Sequence, residues 1–64
     1  MYKIIEVVGI SPESFSKAAE QAVNKIVEAG NDVKYFTLEE QRGLVKEGRV
    51  VEFQAILKIA VSEE

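Results

Sequence analysis

Sixty-four residues form one domain, spanning 1–64, with no length for a second. The chain has no cysteine, histidine or tryptophan, which excludes a disulfide framework and a Cys/His metal site. Eight Lys and Arg against eleven Asp and Glu give a net charge of −3, and the cations are scattered without a run, so no basic footprint for nucleic acid is expected. No apolar stretch of about 18 residues is present to span a bilayer. The opening Met1-Tyr2-Lys3-Ile4-Ile5 is charged too early for a secretion signal, and the expected location is the cytoplasm. So short a chain buries only about 60% of its unfolded surface. With staples excluded, association between copies is the expected source of the missing stability.

Residues 2–10 (YKIIEVVGI) are rich in β-branched side chains and predict a first strand. Ser11-Pro12-Glu13-Ser14 then predicts a helix start. Serine caps the helix, proline suits its first position, and Glu13 complements the positive end of the dipole. Phe15, Ala18, Ala19, Ala22, Val23, Ile26 and Val27 recur at helical spacing and form one apolar stripe. Gly30 predicts a left-handed cap, followed by the turn formers Asn31 and Asp32, which closes a helix over about 12–29.

Val33–Val45 and Arg49–Ser62 predict two further strands, joined by Lys46-Glu47-Gly48. In the last strand Val51, Phe53, Ala55, Leu57, Ile59 and Val61 are uniformly apolar and should face the helix. The alternate set, which includes Glu52, Gln54, Ile56 and Lys58, is mixed. A helical crossover returns strand two parallel to strand one, and the hairpin makes strand three antiparallel to both. With the most apolar strand in the middle, the expected fold is α+β: a β-α-β-β chain whose three-stranded, antiparallel-type sheet of order 1-3-2 packs on one helix. The opposite face lacks a helix and, by strict alternation, carries Tyr35, Thr37, Glu39, Gln54, Ile56 and Lys58. Both sheet edges are open as well, and pairing between copies would satisfy faces and edges together.

Few residues carry chemistry. Tyr35 offers a flat aromatic ring to a ligand or to an interface. Gln54 interrupts an apolar strand, and its amide needs partners that either a ligand edge or a neighbouring subunit supplies. Arg42 suits a phosphate held bidentately, or a pair with Glu39 or Glu40. Glu39-Glu40 and Glu63-Glu64 have the oxygen donors that hard cations take, but isolated strand carboxylates read as a solvated face, and no metal is expected. Ser11 and Ser14 have no histidine base, so nucleophilic catalysis is not expected. Gly9 sits in no phosphate-loop pattern.

Taken in order, YKIIEVVGISPESF, AAEQAV, VKYFTLEEQRG and VVEFQAILKIAV resemble the dodecin family over nearly the whole chain. The resemblance implies a hollow homododecamer of 23 symmetry, with helices outside, sheets lining the interior, and flavins stacked in pairs at the two-fold axes. It implies a non-enzymatic protein that stores, buffers or quenches FMN or riboflavin. Tyr35 matches the family's flavin-sandwiching tryptophan, Gln54 the glutamine at the polar edge of the ring, and Arg42-Gly43 the arginine-glycine pair near the ligand's tail. Ser62 stands where some bacterial members carry a further arginine. Stacking beyond burial is worth about 0.5–1.5 kcal/mol per aromatic pair. Tyrosine for tryptophan therefore implies weaker flavin binding, and the alternative is a structural shell that binds flavin weakly or not at all.

Overall fold

The β-branched opening produces strand β1 (Tyr2–Ser11) in the computed structural model, which describes residues 1–63. Glu64, half of the terminal carboxylate pair, lies outside the described residues. Helix α1 (Phe15–Glu28) begins later than Pro12 suggests. Its cap is Ser14 rather than Ser11. Ser14 has the extended backbone a cap requires, and its Oγ accepts from the Lys17 amide at 3.0 Å. Ser11 Oγ instead accepts from the Glu13 amide at 3.0 Å, which folds Pro12 and Glu13 into a turn ahead of the helix. Glu13 consequently stands outside the first helical turn.

The C-terminus closes as the glycine suggests. Gly30, at φ 97, donates to the Val27 carbonyl at 3.0 Å, and Asn31 donates to the Ile26 carbonyl at 3.4 Å. These two bonds form a Schellman motif that satisfies carbonyls left over by the last turn.

Strands β2 (Val33–Lys46) and β3 (Arg49–Ser62) are joined by Glu47-Gly48 alone. Both turn residues have positive φ, 53 and 76, as a type I′ hairpin requires. Lys46, placed in the connection from sequence, pairs with Arg49 in the ladder. The sheet order is β1-β3-β2, with β3 antiparallel to both neighbours.

Between α1 and the sheet, Ala18 and Ala22 meet Ala55, Leu57, Ile59 and Val61. Small helix residues let the backbones approach closely, and Gly9 carries that to its limit. A Cβ on Gly9 would lie 1.9 Å from the Ala18 carbonyl oxygen. Glycine is thus required where helix and β1 touch. Two expected core residues fall outside this layer: Val27, in the last helical turn, and Val51 are both exposed. Val51 is uncovered because β1 pairs with β3 only from Phe53 onward, leaving the hairpin end to project. The molecule is 48 Å long with a radius of gyration of 12.9 Å, against about 10.7 Å for a compact chain of this length. Leu44, Val45, Val50 and Val51 all lie exposed on that projection.

Candidate functional site on the open face of the sheet

The register along β3 defines the face turned away from the helix. Gln54, Ile56, Lys58 and Ala60 point there, opposite Ile10, Val8, Glu6 and Ile4 of β1. On β2, Tyr35 stands opposite Ala60 and Thr37 opposite Lys58. Strict alternation would continue with Glu39, but the register shifts between Leu38 and Glu40, so Glu40 faces Ile56 and Arg42 faces Gln54. One extra residue on the bulged strand reverses the phase of everything after it. Glu39, the extra residue, still reaches Lys58, with 3.8 Å between carboxylate and ammonium. Tyr35, Thr37, Gln54, Ile56 and Lys58 occupy the expected face, and the bulge adds Arg42 to them.

A chain of polar contacts surrounds Arg42. Its Nε donates to Gln54 Oε1 at 2.8 Å, and Gln54 Nε2 donates to Glu52 Oε2 at 2.7 Å. Only one orientation of the amide fits, since a guanidinium needs an acceptor and a carboxylate needs a donor. Arg42 Nη1 also lies 4.0 Å from Glu40 Oε2, with both side chains more than half exposed. Arg42 therefore pairs with Glu40, while Glu39 pairs with Lys58. Exposed pairs of this kind contribute at most about 1 kcal/mol each.

At the other end of the face, the Tyr35 ring is 51% exposed and meets Tyr2 edge to face, centroids 5.7 Å apart and planes at 90°. Tyr2 escaped the sequence reading, although its position opposite Ser62, in phase with Ala60, marks it as an open-face residue. Ser62 brings no charge to this aromatic end. Tyr35 and Gln54 are separated by six residues of β3, about 20 Å of strand.

No three acidic or other metal-ligating side chains converge among the described residues. Glu39 and Glu40 are each engaged with a cation, and the hydroxyls of Ser11 and Ser14 both accept from backbone amides. On the helix side, Phe15, Ala19, Val23, Phe36 and Leu38 line an apolar groove between α1 and β2. Ser16, Glu20, Asn24 and Gln41 add polar groups to its lining.

The family model described as Dodecin matches residues 1–63. Among solved structures, dodecin from Streptomyces coelicolor superposes with a TM-score of 0.92 at 31% identity, covering 100% of this chain and 93% of that one. Dodecin from Streptomyces davaonensis gives a TM-score of 0.91 at 25% identity over 100% and 96%. A tryptophan-to-phenylalanine variant of the T. thermophilus dodecin gives 0.90 at 31% identity over 100% and 97%. No curated protein sequence matches the chain significantly.

Proposed function

The chain belongs to the dodecin family, and on that premise we propose that it is a non-enzymatic flavin-binding protein that works as a hollow homododecamer in the cytoplasm. The observation that carries this reading is that Tyr35, Arg42 and Gln54 share the one sheet face no helix covers. Tyr35 offers its ring to the isoalloxazine. Gln54 has a donor and an acceptor that match the imide edge of that ring. Arg42 lies beside Gln54, where the ligand's side chain would leave the ring.

Tyr35 and Gln54 of one copy stand about 20 Å apart, farther than one three-ring system reaches. A flavin touching both would therefore sit between copies, with Tyr35 from one and Gln54 and Arg42 from another. Assembly also fits the exposed apolar residues Ile4, Val8 and Ile10 on the open face and the bare hairpin end. Flavins stacked against one another and against aromatic rings lose their excited states quickly. The corresponding role is storage, buffering or photoprotective quenching of riboflavin, FMN or a breakdown product.

One feature favours the second reading, a shell with weak or no flavin binding. The Gln54 amide is already partnered at both ends within the protomer, so a ligand must compete with Arg42 or Glu52. Titrating riboflavin and FMN with the flavin-stripped assembly separates the two. Saturable fluorescence quenching by either flavin supports the flavin reading. Flat fluorescence with both overturns it in favour of the shell.

A further inference from the structure

We propose that Tyr2 is a positioning residue for the candidate site, holding the Tyr35 ring in the orientation that a flavin meets. The inference rests on the flavin reading above and adds a residue to that same site.

Little else holds the Tyr35 ring. β2 is an edge strand, so Tyr35 has a cross-strand neighbour on one side only, and that neighbour is the small Ala60. The ladder shifts register between Val33 and Tyr35, which interrupts regular pairing just ahead of the ring. Two cations lie nearby, but Lys34 reaches back to Asp32 at 3.1 Å and Lys58 pairs with Glu39 at 3.8 Å. Tyr2, from the opposite edge strand, meets the ring over the top of β3, edge to face at 5.7 Å. Tyr2 is itself anchored. It pairs with Ser62 in the ladder, and the Glu63 amide donates to the Met1 carbonyl at 3.1 Å to close the strand end.

Ala60 shows that the two rings close over the sheet. It is fully buried on a face that no helix covers, so its cover comes from its neighbours there, Tyr2, Ile4 and Tyr35 among them. A methyl group at position 60 is short enough for the rings to meet above it. Because their planes are perpendicular, at least one face of Tyr35 stays open to a ligand. A half-exposed ring with no wall beside it moves among rotamers, and a ligand that stacks on it must first arrest that motion. The Tyr2 contact removes that cost before the ligand arrives.

The test titrates riboflavin into flavin-stripped assemblies of the native chain, Tyr2→Phe and Tyr2→Leu, followed by fluorescence quenching, with assembly mass as the folding control. Tyr2→Phe keeps the ring and should bind as the native chain does. Tyr2→Leu should bind about twofold to tenfold more weakly. In a Tyr35→Leu background the same leucine should cost nothing further, because Tyr2 acts through Tyr35. If Tyr2→Leu does not assemble, Ala60→Val takes its place, since it keeps both rings and wedges them apart, and the same loss is expected. Native affinity in that variant, an equal loss in Tyr2→Phe, or a further loss in the Tyr35→Leu background overturns this inference and leaves the flavin reading standing. Flat fluorescence with the native chain overturns both.

Discussion

Tyr35 and Arg42 stand on the same face of the sheet although they lie seven positions apart, an odd spacing that an unbroken strand would send to opposite faces. The register shift between Leu38 and Glu40 is what reunites them. The candidate site therefore depends on one extra residue in β2, and Glu39 is that residue.

Deleting Glu39 should restore plain alternation, turning Arg42 toward the helix side or sliding the hairpin by one register step. Loss of cooperative thermal unfolding and of flavin quenching is expected. Glu39→Gln keeps the bulge and gives up only an exposed pair with Lys58, so its stability should stay within about 0.5 kcal/mol of native. A deletion variant that melts and quenches like the native chain would disprove the bulge's role.

Gly9 and Gly43 should respond oppositely to alanine. A Cβ at Gly9 meets the Ala18 carbonyl at 1.9 Å, whereas one at Gly43 finds its nearest neighbour, Val50 Cγ1, at an ordinary 3.5 Å. Gly9→Ala must lift α1 from β1 and is expected to cost about 1–3 kcal/mol or to prevent folding. Gly43→Ala should be neutral, or stabilising by about 0.5 kcal/mol through lower unfolded-state entropy. Denaturant unfolding of the two variants side by side measures the difference.

Ser14→Ala removes the hydroxyl that accepts from the Lys17 amide and should destabilise the fold by about 1 kcal/mol. In a chain this small such a loss lowers the melting temperature by several degrees, about 4–8 °C by the usual scaling. An unchanged melting temperature would mean that Ser14 does not cap the helix.

Tyr35→Trp enlarges the π face offered to a flavin and should tighten binding by about twofold to tenfold, in line with typical aromatic pair energies. Tyr35→Leu should lose most of the quenching while the assembly keeps its mass. Equal affinity in all three proteins would remove Tyr35 from the site. Binding that arises only in the tryptophan variant would instead favour the shell reading for the native chain.

Much of the fold was legible because local periodicity carries it. The limits of β3 match the alternation of Arg49–Ser62 residue for residue, and the helical stripe places Ala18 and Ala22 in the core. The β1-β3-β2 order follows from the most apolar strand taking the centre. The misses occur where two plausible local signals compete or where distant elements decide. Ser11 and Ser14 both suit a cap, and only the backbone geometry selects Ser14. Val51 carries the core pattern but extends past the end of β1.

For the site, the sequence alone nominated Tyr35, Arg42 and Gln54 and put Tyr35 and Gln54 on the open face, but offered no sign that Arg42 joins them. Glu39-Glu40 contains no glycine to advertise a bulge, so the shared face of Tyr35 and Arg42 was invisible. Tyr2, remote in the chain, reaches Tyr35 only because β3 lies between their strands. By itself the sequence determined the elements and the strand order, since spacing and hydrophobicity act over a few residues. Only the tertiary structure decided which side chains meet and which charges are already matched. Those outcomes are set by cross-strand register, and register depends on the whole sheet closing against its helix.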